Sequence, residues 1–471
     1  MNKLLNIQNQ KHIKLIEKIR SLIKDSAFEN HVFIVGGFVR DSIMGNESHD
    51  IDIAVDVPDG GISFATWLAY HTGCLISEKN PCVFKTYGTA KMQILTDADF
   101  SGIEIECVQT RKEKYDRNSR NPSTAFGTIH EDAMRRDLTI NALYYNISTD
   151  EIHDFTGKGI EDIKNHVICT TDDADAIFED DPLRILRTIR YSSKYNWGIE
   201  KNTWLGMIKN AGRINLLTQE RITDELNKIL LTETPSIALQ RMSRCNVLFK
   251  VLPFLEMSKH VFQDLRPQRT LYDHILDVVD KVPATLECRL AALFHDIGKI
   301  KTYNKQFLFH SQVGADMAET VLKAMKYPNH VIKVVKIAIE NHEDFSGYRG
   351  NSIPRPQVIR KFVSKFENNE PALEVCLNLI HANNISQMYG KKIKQIPGIR
   401  EKIKEMDKKQ ESGKQITLPV NGNDVMQHLK LRPSPLLGAI MKQIKDKAIE
   451  DPSLTKEEAL KIAEKYIEKV V

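Results

Sequence analysis

Two aspartates one residue apart, Asp50 and Asp52 in the stretch HDIDIAVD, are the side chains in this sequence best placed to do chemistry. In an extended segment alternate side chains share a face, so the two carboxylates point together while Ile51, Ile53 and Val55 point into a core. Two carboxylates side by side repel each other, and a divalent cation relieves that repulsion. An oxygen-rich pair of this kind suits Mg²⁺ holding a triphosphate. The same triplet on an edge strand could equally be a pair of solvated acids.

The neighbouring segments supply partners for such a pair. Val32 to Val35 is a short β-branched and aromatic run that breaks at Gly36-Gly37 before VRDSIM, which can wind as a helix. Glycines at a strand-to-helix turn let backbone N–H groups approach an anion, and the helix start adds positive potential. A phosphate could sit there, with Arg40 on the first turn donating a charge-assisted bond. In IEIECV the carboxylates of Glu104 and Glu106 share one strand face, and either could meet the aspartates. In RRDLTINAL, Asp137 and Asn141 lie four apart and are expected on one helix face.

The blocks GGFVRD, DIDIAV, IEIECVQTRKEKY, RRDLTINAL, DDPLRILRTIRY and QERITDELNKIL follow one another in a fixed order. In that order the chain resembles the class II tRNA CCA-adding enzyme and bacterial poly(A) polymerase family, within the DNA-polymerase-β nucleotidyltransferase superfamily. The resemblance is strong over roughly residues 25 to 250 and looser to the C-terminus. It implies that Asp50 and Asp52 hold Mg²⁺ and that Glu106 is the third catalytic carboxylate, leaving Glu104 as an exposed strand acid. It also implies a nucleotide site built from Gly36, Gly37, Arg40, Arg136, Asp137 and Asn141, with Arg136 on phosphate. Catalysis at such a site is mostly positioning and charge neutralisation.

In DDPLRILRTIRY the arginines Arg184, Arg187 and Arg190 fall at intervals of three, expected along one side of a helix and more charge than a core-facing helix needs. The resemblance makes Asp181 and Arg184 the pair that reads the incoming base, with Arg187 and Arg190 completing the nucleotide site. The chemistry is consistent: cytosine and adenine each offer a ring-nitrogen acceptor beside an amino donor, matching one Arg donor next to one Asp acceptor, and uracil and guanine reverse that polarity. Two features compete. The family's usual Glu before this Asp is Asp180 here, and Asp181-Pro182 is also a good helix cap followed by a first-turn proline.

Further along, His274, His295-Asp296 in ALFHDIGK, His310 and His342 follow the order of an HD-domain phosphohydrolase. The resemblance implies one metal site, which would take a transition metal. Where the family reads HADN this chain has His381-Ala382-Asn383-Asn384, and Ser311 follows His310 where an acid is common. Losing a carboxylate weakens divalent binding, so a scaffold role is expected to outweigh hydrolysis. The lysine-rich run at residues 391–409 precedes LPVNGNDVMQHLKLRPSPLLGAIM, a tail that resembles the C-terminal element of HD-containing CCA-adding enzymes and could grip an RNA backbone.

The expected architecture is α+β: a nucleotidyltransferase head with a mixed β-sheet and helices, followed by all-α neck, HD-type and tail domains. Boundaries are placed at 1–24 for an N-terminal amphipathic helix, 25–170 for the head, 171–260 for the nucleobase-binding neck, 261–395 for the HD-type domain and 396–471 for the tail. A net charge of +4 fits RNA met through a local patch. Seven cysteines with no C-x-x-C pair argue against a disulfide framework or a zinc site and suggest a reducing cytoplasm. No stretch approaches a membrane span. The expected activity is template-independent addition of CCA to tRNA from CTP and ATP, with neither DNA nor a membrane as partner. Poly(A) or partial CCA addition, a phosphohydrolase with the head as a binding module, and a non-catalytic tRNA-binding protein are the alternatives.

Overall fold

The computed structural model describes the chain apart from residues 1–4, 49, 74–79, 86–87, 94–99, 101–102, 115–122, 263–268, 304–306, 367–368, 388–391, 409–417 and 471. Lys391 and Lys409 of the lysine-rich run lie outside the described residues. Two compact units divide it: Met1–Ile229 with Ile237–Val251, and Leu230–Ser236 with Leu252–Val471.

The first unit is built on a mixed sheet. Its strands are β1 (Val32–Val35), β2 (Ile51–Val55), β3 (Cys82–Phe84), β4 (Thr89–Gln93), β5 (Glu104–Gln109), β8 (Leu143–Asn146) and β9 (Glu151–Asp154), in the order β3-β4-β5-β2-β1-β8-β9. A separate ribbon pairs β6 (Arg111–Lys114) with β7 (Ser123–Phe126). The β2–β5 pair is parallel, and its neighbours β1–β2 and β4–β5 are antiparallel. The strand β1 reads VFIV and is buried at every position, as a strand covered on both faces requires.

One face of the sheet packs Ile34, Ile53 and Ile105 against helix α1 (Gln10–Ile23), whose Leu15, Ile16, Ile19 and Ile23 fall at helical spacing and are buried. Each such side chain contributes about 2 kcal/mol by leaving water. Arg20 pins the helix by donating from Nε to the Ile147 carbonyl at 2.6 Å and from Nη2 to the Tyr145 hydroxyl at 2.6 Å. Helix α3 (Gly60–His71) lies so close to the sheet that a Cβ on Gly61 would stand 2.8 Å from the Gln109 amide nitrogen, which is why glycine occupies that position. The other face carries Phe33, Val35, Ala54 and Tyr144 and is open over Asp52.

Helices α2 (Gly37–Ile43), α4 (Ile129–Met134), α5 (Gly159–Asn165), α6 (Ala174–Asp180), α7 (Leu183–Lys194), α8 (Lys201–Asn210) and α9 (Gln219–Leu230) complete this unit's frame. The expected helix through RRDLTINAL is absent. Helix α4 starts at a capping box made by Thr128 and Glu131, but it stops at Met134, and Thr139–Asn141 forms a single 3₁₀ turn. The Asp137 carboxylate accepts from the Leu138 amide at 2.9 Å, an alternative to the helical ladder that short acidic side chains offer.

The second unit is helical. Its centre is Leu286–Phe294, in which Leu290 to Phe294 are fully buried, surrounded by Leu271–Lys281, His310–Ala324, Asn329–Glu340 and Glu370–Ser386. A smaller core joins Val425, Ile440 and Ile444 to Ala459 and Ala463 near the C-terminus. In the lysine-rich run Lys392 is buried and donates to the Ser346 carbonyl at 2.8 Å, whereas Lys402 is partly exposed, 2.8 Å from Glu405 on the same helix. Among the described residues no helix is long and apolar enough to cross a membrane.

Candidate active site

Asp52 and Glu106 stand directly opposite each other on the parallel strands β2 and β5. Fifty-three residues separate them in sequence, and only the strand register brings them together. Asp50 lies just before β2, exposed. Although the Asp52 side chain opens onto the cleft, the surrounding protein partly desolvates it. That desolvation and the adjacent Glu106 push its carboxyl above the ordinary range, Arg136 opposes them, and Asp50 adds to the upward push. Lys91 sits 3.1 Å from Glu104 and 3.3 Å from Glu106, so the acids share one lysine as counter-ion. A crowded, under-neutralised set of carboxylate oxygens fits a divalent cation.

The cleft over these acids has a volume of about 570 Å³. Gly36 and Gly37 form its edge, and Gly36 adopts φ 70°, a left-handed conformation that glycine takes without strain. Arg136 lies across that turn. Its Nε donates to the Tyr144 hydroxyl at 2.8 Å, its Nη1 to the Asn141 carbonyl at 3.4 Å and its Nη2 to Asp132 at 3.3 Å. Asp132 is fully buried and also receives Arg135 at 2.6 Å, the Arg111 amide at 3.1 Å and the Tyr144 hydroxyl. Burial alone would raise its carboxyl; Arg136 and Arg135 outweigh that and bring it to about 2.

Asp137 and Asn141 come together by the turn rather than by a helix face, with Asn141 Nδ2 donating to Asp137 Oδ1 at 3.1 Å. The other Asp137 oxygen receives Arg187 Nε at 2.6 Å. Here too burial acts upward and Arg187 prevails, lowering the carboxyl to about 2.

Helix α7 supplies the far wall. Asp181, Arg184 and Arg187 line the cleft. Asp181 divides its oxygens: Oδ1 accepts from the Leu183 amide at 3.1 Å, the capping role, and Oδ2 accepts from Arg221 at 2.7 Å. Arg184 is buried, donates to the Ile177 carbonyl at 3.3 Å and lies 4.0 Å from Glu113.

Arg40 and Arg190 do not join this wall. Arg40 is buried under Tyr191 and Tyr195, and spends its donors on Asp41 at 2.8 Å and on Asn141. Arg190 donates to Glu225 of α9 at 2.7 Å and stacks on Tyr191. The reason is helical geometry: steps of three residues fall 60° short of a full turn, so two steps carry Arg190 about 120° away from Arg184. Sequence reasoning missed Arg221, Arg111, Arg135, Glu113 and Tyr191, all of which line the cleft. Arg221 stood in the QERITDELNKIL block and carried a signal; Glu113, tied to Arg111 and Arg135 at 2.9 Å each, carried none beyond its place in TRKEKY.

In the second unit five side chains converge. His274, His295 and Asp296 form one group of close ligand atoms, and Asp296, His310 and His342 form another, all buried. His310 Nε2 and His342 Nε2 are buried without a hydrogen-bond partner, as nitrogens that await a metal would be. Asn383 lies on the helix Glu370–Ser386, which packs against the helix bearing His274.

Comparison with known proteins adds an independent line. Residues 32–169 match the family model described as the poly A polymerase head domain, residues 197–258 the probable RNA and SrmB-binding site of polymerase A, and residues 277–408 the HD domain. The mitochondrial CCA tRNA nucleotidyltransferase of Saccharomyces cerevisiae is 34% identical over 340 residues, 65% of this chain and 60% of that protein. For its Candida glabrata counterpart the figures are 38% identity, 46% of this chain and 43% of that protein, so the chain spans about half the length of these curated relatives. The Multifunctional CCA protein of Vibrio parahaemolyticus is 29% identical over 71% of this chain and 80% of that protein. The two yeast relatives carry mitochondrial names and the Vibrio one does not, so these relatives do not fix the compartment. Among solved structures the Bacillus stearothermophilus CCA-adding enzyme in complex with CTP has the same fold, with a TM-score of 0.68 at 19% identity, covering 98% of this chain and 99% of that one.

Proposed function

We propose, from the premise that this chain belongs to the nucleotidyltransferase family of CCA-adding enzymes and bacterial poly(A) polymerases, that it adds CCA to the 3′ end of tRNA from CTP and ATP. The observation that carries the reading is the in-register meeting of Asp52 and Glu106 in an arginine-lined cleft that Asp181 and Arg184 also line. Asp50 and Asp52 are the residues to hold Mg²⁺, with Glu106 as the third carboxylate. When bound, the ions would lower the pKa of the RNA 3′-hydroxyl and neutralise the leaving pyrophosphate.

The protein's own part is positioning. The Gly36-Gly37 turn offers backbone N–H groups to the triphosphate, and Arg136, fixed by Tyr144 and Asp132, adds a charge-assisted donor. Arg187 and Asn141, both locked on Asp137, support ribose and phosphate. Arg184 donates to the ring nitrogen of cytosine or adenine while Asp181 accepts from its amino group, at the expense of its bond to Arg221. Incubation with tRNAs lacking one, two or three terminal residues, each nucleotide supplied separately, tests this. CTP should be used on the two shorter substrates and ATP on the one lacking only the last residue; indifferent use of ATP on all three would favour poly(A) addition, and no incorporation would end the proposal.

A second reading has its own observation, the buried convergence of four histidines on Asp296. It supports a divalent transition metal in the HD-type domain, and metal analysis of the purified protein tests it.

A further inference from the structure

We propose that the HD-type cluster is lopsided, binding one divalent metal in the half formed by Asp296 Oδ1, His310, His342 and the unassigned acid Glu343, while Lys299 takes the cation's place in the other half. The proposal rests on the reading that this cluster binds metal and goes beyond it by naming the ligands. Four observations carry it.

The first is tautomer control. His310 Nδ1 faces the Phe307 carbonyl at 2.8 Å, and His342 Nδ1 faces the Ile339 carbonyl at 2.6 Å. A carbonyl accepts only, so each Nδ1 carries a proton, and in the neutral ring each Nε2 presents a lone pair to the cluster. Those two Nε2 atoms are the ones buried without a hydrogen-bond partner. In the other half, His295 Nδ1 likewise donates to the Ala292 carbonyl at 2.7 Å, so its Nε2 is an acceptor; His274 Nε2, 3.2 Å away, must donate to it. The two Nε2 atoms of that half are paired with each other.

The second is charge. Lys299 donates to Asp296 Oδ2 at 2.7 Å, on the side where His274 and His295 lie 3.4 and 3.3 Å from the same oxygen. A cation arriving there would meet an ammonium and two imidazoles, with Asp296 the one carboxylate in that group of close ligand atoms. On the Oδ1 side, by contrast, an ion would meet two imidazoles, Asp296 Oδ1 and Glu343, whose carboxylate adds a negative charge beyond the one that Lys299 offsets.

The third is distance. Ligand atoms about 2.1 Å from a tetrahedral metal stand about 3.4 Å from one another. His310 Nε2 is 3.2 Å from Asp296 Oδ1 and 3.6 Å from Glu343 Oε1, and His342 Nε2 is 3.5 Å from Asp296 Oδ1.

The fourth is placement. Glu343 directly follows His342, just past the end of the helix Asn329–Glu340, and brings a carboxylate to His310 on a different helix. Its side chain is 44% exposed and turned to His310, so it can close on an ion without disturbing the core.

The test is a Co²⁺ titration of the chelator-stripped full-length chain, read by visible absorption and by metal analysis. Nitrogen-ligated tetrahedral cobalt absorbs strongly in the visible, which separates this site from an oxygen-only site in the head. One coloured equivalent per chain is expected, weakened tenfold or more by Glu343→Gln and by His310→Ala and changed less than threefold by His274→Gln. Glu343→Gln is nearly isosteric at an exposed position, and an unchanged circular dichroism spectrum would exclude misfolding. Two coloured equivalents, or an affinity indifferent to Glu343→Gln, would overturn the proposal while leaving a metal site in the domain. No coloured complex in the wild type would overturn it together with the metal reading on which it rests.

Discussion

Replacing Asp132 by Asn should damage both the stability of the head and its hold on nucleotide, although Asp132 touches no substrate. Its carboxylate is fully buried and joins Arg135, Arg136, the Arg111 amide and the Tyr144 hydroxyl. A carboxyl of ordinary value 3.8 held at about 2 contributes roughly 2 to 3 kcal/mol at neutral pH. Because the folded value is the lower one, this stability is fully present above about pH 4 and is lost as pH falls through about 2. The variant keeps the shape of the side chain but removes the charge, leaving two guanidiniums under-compensated in a buried site, a class of change that costs about 3 to 5 kcal/mol. Freed from Asp132, Arg136 loses its fixed position over the Gly36-Gly37 turn, and a charge-assisted phosphate bond weakened by about 1.4 kcal/mol raises KM for both CTP and ATP about tenfold. Urea unfolding followed by head-specific fluorescence, together with KM for each nucleotide, provides the assay. A loss below about 0.5 kcal/mol with KM unchanged would refute the argument that this buried acid organises the phosphate wall.

Asp52→Asn should abolish nucleotide addition yet leave tRNA binding intact and leave the melting temperature in EDTA unchanged or raised, because it removes a carboxylate crowded by Glu106 and Asp50; a marked drop in melting temperature would mean that Asp52 has a structural role. Arg184→Ala should lower kcat/KM for CTP and ATP alike by tenfold or more, and Asp181→Asn should relax discrimination against UTP and GTP, with incorporation of all four nucleotides measured side by side. If Asp181→Asn changes only the melting temperature, the cap to Leu183 is the whole of its role. Gly298→Ala should destabilise the helical unit by about 3 kcal/mol, since the added methyl would collide with the His310 carbonyl and stand 2.7 Å from the Gly314 nitrogen; thermal unfolding checks it.

The Asp-x-Asp strand, the glycine turn and the HD histidines were legible because each motif is local: alternation, a Gly-Gly break and an adjacent His-Asp pair are visible within a few residues. What was not legible depends on pairings made across the chain. Glu104 and Glu106 share a face, so alternation alone leaves both open; the resemblance pointed to Glu106, and the register of β5 against β2 sets it opposite Asp52. The helix expected through RRDLTINAL fails because Asp137 captures the Leu138 amide, a contest between side chain and ladder that periodicity does not register. Arg40 and Arg190 carried the right chemistry but face Tyr191 and its neighbours, and a stack of guanidiniums on an aromatic ring is invisible in spacing alone. Glu343 went unnoticed because its relevance depends on where His310 lies in space.

The central claim is tested most directly by presenting the protein with a tRNA that ends at the discriminator base, CTP and ATP together, and sequencing the 3′ ends at completion. The account expects three added residues, C, C and A, followed by arrest, and no extension by Asp52→Asn. A heterogeneous A tail, arrest after two cytidines, or extension that survives Asp52→Asn would contradict it.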